Sequence, residues 1–526
     1  MADWTSGYVV DVEYTHGFYR ELAPSFLSFT ALMQGIDAPG LREEPLAYCE
    51  LGCGQGLSTN VLAAANPHVQ FYATDFNPTH VVRARALAEA GGLDNVQFFD
   101  DSFAEFLERN DLPPFDFVAL HGIYSWISAE NRRAIVEFAR RRLKPGGILY
   151  ASYNTMPGWA SVMPLRRLLI EHAATQGAGS KISRIRTSLD FAERLSKLGT
   201  RYFASQPQLA ERLAQIGTKD LNYIAHEYFN ADLHPFYFID VARDFAEAKL
   251  QWVGSASPIE TIDELNLSED QRKILSEIDD IALRETVRDH IVNQNFRKDI
   301  FIKGPVRLSR LATRERWLDT RFALSRAGSD IPSEVKGRGY SLKLQEEFRE
   351  ALTTALHYHP RSLREIVAMP GLAKHGIDKI KQALVSLVGQ GLCYPSLTEQ
   401  GLAERRRRTE AFNLAVATNT MHEYTYSSFA SPITGNGIRV EQIDQMIWLA
   451  HQRRESDIAA FIWKTMTETG HRLAKDGKTL TQEEHMAEIG KHVALFEKAI
   501  GPMLQSLGIA IHASGQGTVR DLRLQA

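Results

Sequence analysis

Glu50, Asp75 and Asp101, with three glycines at alternate positions, Gly52, Gly54 and Gly56, are the residues whose types and spacing point most directly to chemistry. The segment Leu46-Ala-Tyr-Cys-Glu-Leu-Gly-Cys-Gly-Gln-Gly56 is a short apolar run that ends in a carboxylate and then drops its side chains at every second residue. Such a backbone turns sharply and lets a ligand lie directly against it. The spacing discriminates between ligands. A dinucleotide loop reads G-x-G-x-x-G, with the following helix N-terminus facing a pyrophosphate. Here the third glycine falls one residue early, and Leu57 stands where that pattern needs glycine. The Lys-Ser/Thr ending of a P-loop is also missing. A nucleoside ligand without phosphates fits this loop.

The elements that must position these groups follow from the apolar runs. Val69–Thr74 reads as a second buried strand with Asp75 at its C-terminal end, the edge where open parallel sheets bind ligands. A carboxylate there accepts both hydroxyls of a ribose, and Phe76 covers one face of an adenine. A third strand, Asn95–Phe99, runs into Asp101, Ser102 and Phe103, a turn whose side chains reach an adenine amino group. A fourth, Phe115–Leu120, delivers His121, Tyr124 and Trp126 to the same edge, and a fifth, Leu143–Ser152, ends near Tyr153 and Asn154. Helix-length segments at about 57–66, 77–91, 102–109 and 128–142 alternate with the strands, which predicts a doubly wound, Rossmann-like α/β sheet. Asp75 and Asp101 also read as helix N-caps, before Asn77-Pro78 and at Ser102. S-adenosyl-L-methionine is the ligand this constellation suits.

Glu50-Leu-Gly-Cys-Gly-Gln-Gly56, Asp75, Asp101-Ser102 and Leu143-Lys-Pro-Gly-Gly147 resemble the successive motifs of class I S-adenosylmethionine-dependent methyltransferases. The resemblance implies that Glu50 reaches the methionine ammonium, Asp75 the ribose and Asp101 the adenine amine. Tyr14-Thr-His-Gly-Phe-Tyr19, Tyr153-Asn-Thr-Met-Pro-Gly-Trp159, His226-Glu-Tyr-Phe229, Asn295–Phe301 and Ser431–Gly437 look like methyltransferases that carry a methyltransferase regulatory domain. That group includes the rickettsial-type protein lysine methyltransferases, whose characterised members modify an outer-membrane protein. A protein acceptor, met before its export, is what this resemblance implies.

At 526 residues, with 44% hydrophobic and 24% charged content, the chain has the composition of an ordinary globular protein of several domains. The expected division is a methyltransferase core at 1–163, a helical dimerisation or lid segment at 164–216, and a regulatory-type domain at 217–305. A middle region at 306–400 and a helical C-terminal domain at 401–526 complete it. No apolar run is long enough for a membrane span. The start, Met-Ala-Asp-Trp-Thr-Ser-Gly, has no secretory pattern. Three cysteines, Cys49, Cys53 and Cys393, fit a reducing cytoplasm and predict no zinc site. Residues 1–170 carry 13 basic against 19 acidic side chains, a sign that repels phosphate backbones and suits a basic acceptor. Residues 355–400 have a winged-helix pattern, yet the second helix offers only Lys379 and Lys381. Arg405–Arg408 reads as a solvated helix face and Ile443, Met446, Ile447 and Ala450 as a core stripe. Nucleic acid is therefore not an expected partner; a homodimer is.

Methyl transfer is an in-line displacement that needs an oriented, water-free acceptor more than acid–base machinery. An amine acceptor must lose its proton, and desolvation favours its neutral form. His121, Tyr124, Trp126, Tyr153 and Asn154, at the ends of the fourth and fifth strands, are the candidates to line the acceptor channel. Tyr14, His16 and Tyr19 are placed to fold over the cofactor. Asn154 is not followed by Pro-Pro-Tyr, the signature of nucleobase amino-methyltransferases. The expected activity is methylation of protein lysines in the cytoplasm. Two alternatives stay open: a small-molecule methyltransferase whose extra domains dimerise or cap the pocket, and a cofactor-binding regulator acting through residues 355–400.

Overall fold

The computed structural model describes residues 17–40, 45–177, 179–230, 232–357, 359–421, 426–470 and 481–511, with the backbone at 474–475 and 478–479. Tyr14 and His16 lie outside the described residues. After helix α1 (Pro24–Met33), strands β1 (Leu46–Leu51), β2 (Val69–Thr74), β3 (Val96–Phe99), β4 (Phe115–Leu120) and β5 (Leu143–Asn154) alternate with four helices. These are α2 (Leu57–Ala65), α3 (Pro78–Ala90), α4 (Phe103–Glu108) and α5 (Ala129–Arg142). Each lies within a residue or two of the segment its sequence marks. The caps are Asn77, which accepts from the Thr79 N–H, and Ser102, which forms a capping box with Glu105. Asp75 and Asp101 therefore stand outside the capping positions.

The seven-stranded sheet has the order β3-β2-β1-β4-β5-β7-β6, closed by β6 (Leu250–Ser255) and β7 (Phe296–Lys303). β7 runs antiparallel to β5 from Ile148↔Ile302 to Asn154↔Phe296. The division at residue 163 is thus a boundary in sequence and not in the sheet, because the 217–305 region supplies the last two strands. Strand order reverses between β1 and β4, so the ligand edge lies where their C-terminal ends meet. The glycine loop and His121–Trp126 both emerge there.

Alternation along the strands sorts the side chains onto two covered faces. Tyr48, Phe71, Phe117, Tyr150 and Ile300 pack beneath α1 and the 317–393 region. Cys49, Val118, Leu149, Tyr153 and Phe301 face α5 and the helix Phe238–Ala246. Helices Met163–Thr175, Lys181–Lys197, Pro207–Gly217 and Leu221–Tyr228 form an appendage with a core of its own, which takes in Trp126 and Trp159. The C-terminal stripe at Met446, Ile447 and Ala450 is buried as expected, with Ile443 half-buried beside it.

In the middle region, helices Leu363–Ala368 and Ile377–Gly389 pack with the strands Arg321–Leu324, Arg361–Ser362 and Cys393–Ser396. Lys379 lies 4.9 Å over Phe348 and Lys381 4.4 Å over Trp317, so both lysines are held against rings of their own region. The arginine run departs from the expected solvated face. Arg405 is buried and donates to the carbonyls of Pro432, Gln400 and Thr398, each at 2.6 Å, while Arg408 pairs with Asp94 beyond α3. No described helix is long and apolar enough to cross a membrane, no described cluster could hold a metal, and all three cysteines are free.

β7 is fixed by charge as well as by its ladder. Arg297, 4% exposed, donates to Asp299 at 2.7 Å and 3.0 Å, to Asp289 at 2.7 Å and to Glu285 at 3.2 Å. The Tyr153 hydroxyl and the Trp252 indole N–H complete the shell of Asp299 at 2.6 Å and 2.8 Å. Losing Asp299 takes two of the four Arg297 hydrogen bonds and leaves the Tyr153 hydroxyl and the Trp252 N–H buried without that acceptor. Asp299→Ala is expected to lower unfolding stability by about 3–5 kcal/mol in urea titration; a loss below about 1 kcal/mol would show the cluster to be dispensable.

Candidate active site

The glycine loop is left-handed at all three glycines, with φ of +75° at Gly52, +53° at Gly54 and +72° at Gly56. Close approach adds to this at two of them. A Cβ on Gly52 would fall 2.5 Å from Ile123 Cδ1, and one on Gly56 2.5 Å from Ala84 Cβ. Around Gly54 nothing lies within 4 Å of such a Cβ. The loop is packed at both ends and bare in the middle, which is the shape a ligand cradle needs.

Asp75, 7% exposed, ties that loop to the end of β2. Its Oδ2 accepts the Gly54 N–H at 2.9 Å, its Oδ1 accepts the Asn77 N–H at 3.0 Å, and His80 Nδ1 lies 3.0 Å from the same Oδ1. His80 was not singled out from the sequence. Its signal was position: side chains lean toward a helix N-terminus, so a residue one turn into α3 falls back over the loop. Phe76, half-buried, follows directly.

Glu50 ends β1 at 3% exposure and accepts a hydrogen bond from Thr59 on α2. Burial raises its carboxyl to about 7, against the opposing hydrogen bond from Thr59 and with a further push from Asp75. Asp101 is already held at two of its oxygens. Its Oδ2 accepts from Arg109 at 2.9 Å and its backbone carbonyl from Thr74 Oγ1 at 2.6 Å. Ser102 is occupied as the α4 cap, and Phe103 is half-buried against the β1–β4 core.

A second strip lies on the even-numbered face of β5. Ser152 Oγ accepts the Gly122 N–H at 2.8 Å, and Ser125 Oγ accepts the Asn154 N–H at 2.9 Å, stitching the β4 and β5 ends together. Asn154 is 4% exposed, and its side-chain Nδ2 has no hydrogen-bond partner among the described residues. His121 shares a 2.8 Å hydrogen bond between Nδ1 and the Tyr150 hydroxyl. Its ring stacks on Tyr19 at 3.7 Å between centroids, with Phe296 at 6.2 Å. Burial drives the imidazole down to about 3, so it stays neutral across the physiological range.

Three candidates point elsewhere. The Tyr124 hydroxyl donates to Asp244 at 2.7 Å while its ring packs on Phe236 and Phe245, which makes it an anchor for the helix Phe238–Ala246. Trp126, 8% exposed, belongs to the core of the helical appendage. Tyr153 occupies the odd face of β5, with its hydroxyl on Asp299. A strand alternates its side chains, so neighbours in sequence serve opposite faces.

The chain offers a buried carboxylate, a bare stretch of loop backbone, a second carboxylate at the switch point, and a buried side-chain NH2 without an acceptor among the described residues. That donor and acceptor set fits a ligand with an ammonium group and ribose hydroxyls.

The sequence profile of a methyltransferase domain matches residues 49–149, and that of a predicted methyltransferase regulatory domain matches residues 220–303. An uncharacterised protein of Synechocystis sp., sll1526, is 40% identical over 508 residues, covering 96% of this chain and 100% of its own. An uncharacterised protein of Rickettsia prowazekii, RP789, is 27% identical over 57% of this chain and 53% of its own. Among solved structures, PKMT2 from Rickettsia typhi, in complex with AdoHcy, shares the fold with a TM-score of 0.67 at 19% identity. It covers 92% of this chain and 97% of that one.

The shift at Glu50 has a sign that can be tested. A carboxyl raised from 4.5 to about 7 in the fold contributes stability fully present below about pH 4.5 and lost as pH rises through about 7. Glu50→Gln is therefore expected to stabilise the free protein at pH 8 by up to about 3 kcal/mol while weakening cofactor binding. Chemical denaturation at pH 4 and pH 8 checks this; a variant no more stable than wild type at pH 8 would contradict it.

Proposed function

This chain belongs to the S-adenosylmethionine-dependent methyltransferases that carry a methyltransferase regulatory domain, and from that premise we propose that it methylates lysine side chains of a protein substrate in the cytoplasm. S-adenosyl-L-methionine is the cofactor, and when bound it supplies a methyl group on a positively charged sulfur. The residues of this chain supply binding, orientation and dryness. Glu50 receives the ammonium of the methionine moiety, which would draw its carboxyl back to the charged form. Asp75 serves the ribose through the remaining lone pair of Oδ2, with His80 free to rotate off Oδ1. Asp101 keeps Oδ1 for the adenine amine while Arg109 holds Oδ2, and Phe76 and Phe103 flank the base.

The observation that carries the lysine reading is the aromatic strip in which His121 stacks on Tyr19 at 3.7 Å with Phe296 at 6.2 Å, a setting whose desolvation holds the imidazole well below its ordinary range. The same desolvation acts on any cation brought there. An acceptor lysine, ordinarily near 10.4, would be pushed toward its neutral, nucleophilic form without a dedicated base. Tyr19, His121, Tyr150 and Phe296 form an aromatic wall suited to an aliphatic stem. Asn154 Nδ2 is a donor in want of an acceptor, which the backbone carbonyl of a substrate peptide would provide. Resemblance to rickettsial-type protein lysine methyltransferases supports the same acceptor.

Incubating the enzyme with methyl-labelled S-adenosylmethionine and lysate of the source cells, membrane fraction included, is expected to label a discrete protein at lysine. Label confined to small molecules would contradict the reading. Asn154→Ala is expected to lower turnover about tenfold or more while leaving cofactor affinity unchanged, read by kinetics and calorimetry together. His121→Asn should retain a rate that rises with pH, because the titrating group is the acceptor amine. A limb lost with His121 would instead assign the base to that residue.

A further inference from the structure

Away from the glycine loop, a cleft of about 390 Å³ opens between β6 and the helices Glu269–Ser276 and Ile281–Val292. Its size is within the range of small-molecule sites. Five arginines and four carboxylates line it, so its wall is cationic in excess. The carboxylates are already committed: Glu285 and Asp289 to Arg297, Asp263 to Arg288, and Glu260 to Arg338. The arginines are not all committed in return. The Arg284 guanidinium makes no hydrogen bond or ion pair among the described residues, and Arg272, whose Nη1 pairs with Glu264 at 3.3 Å, keeps its Nε buried without a partner. Two acceptors in the wall have no donor: Asp289 Oδ2, on a residue 2% exposed, and Gln294 Oε1, on one 3% exposed.

Unsatisfied guanidinium donors and unsatisfied buried acceptors in one cleft call for a ligand with both an anion and a hydrogen-bond donor. We infer that this cleft of the regulatory region binds a small hydroxy- or amino-carboxylate, its acid on Arg284 and Arg272 and its donor on Gln294 and Asp289. The site is separate from the glycine loop and does not depend on the identity of the methyl acceptor. Its wall includes Arg297, whose partner Asp299 holds Tyr153 beside Asn154, so an occupant would touch the cluster that fixes β5 to β7.

Calorimetric titration of the full chain tests this with L-malate and L-glutamate as probes and succinate as the same acid without the donor. Malate or glutamate is expected to bind at about millimolar Kd or tighter, and about tenfold more tightly than succinate. Arg284→Ala should weaken that binding about tenfold with little change in melting midpoint, since its guanidinium makes no hydrogen bond or ion pair among the described residues. Gln294→Met is a second variant with the same expected direction. No binding of either acid at about 10 mM would overturn the inference, as would wild-type affinity in Arg284→Ala. Succinate binding as tightly as malate would overturn the assignment of Gln294 and Asp289 and leave a bare anion site.

Discussion

The Asp75 carboxylate takes the Gly54 N–H at 2.9 Å and the Asn77 N–H at 3.0 Å, and shares a third contact of 3.0 Å with His80. One side chain thereby joins the loop after β1, the end of β2 and the first turn of α3. The glycines permit the loop to turn, since left-handed backbone costs them little. Permission is not a fixed shape, however. The shape comes from Asp75 in the middle and from the contacts that Gly52 and Gly56 make with Ile123 and Ala84 at either end. Glu50 and Asp101 are useful to a ligand only because that junction holds the strand ends in register.

Around this junction the protein keeps its polar groups in poor company. Glu50 is held above its ordinary range and His121 far below its own, both chiefly by burial. Each group is displaced toward its neutral form, which costs stability in the free protein. The same dryness is what a charged electrophile and an amine acceptor require, because it strengthens Coulombic contacts and disfavours the protonated amine. The Glu21–Lys298 pair beneath the strip, at 2.6 Å, shows the alternative. Burial would raise Glu21, yet the cations Lys298 and Arg20 hold it low. Where a partner is present the charge is kept; where none is present it is suppressed.

The five parallel strands and four helices were legible in the sequence because each apolar run is bounded by a turn residue or a cap, as at Asn77-Pro78 and Ser102. The glycine loop and Asp75 were legible for the same reason. The last two strands, β6 and β7, were not, since the helical appendage intervenes and nothing local says that Phe296–Lys303 pairs with β5. Tyr124, Trp126 and Tyr153 show a second limit. Position after a strand places a residue at the correct edge, whereas the face it serves depends on strand parity and on what covers that face. Tyr153 shares parity with Leu149 and Ala151, so its burial in the opposite core was foreshadowed. Arg405 shows a third limit, because a charge run gives no sign that one member caps the carbonyls of Thr398, Gln400 and Pro432.

The central claim is that the Asp75 junction holds the cofactor, and calorimetric titration of S-adenosylhomocysteine into wild type and Asp75→Asn tests it most directly. The amide keeps an acceptor for the loop but loses the charge and paired acceptor geometry that a ribose needs. Binding is expected to weaken about tenfold or more in a protein that still unfolds cooperatively, with a lower melting midpoint because one of the Gly54 and Asn77 N–H groups loses its acceptor. Equal affinity in the two proteins would contradict it.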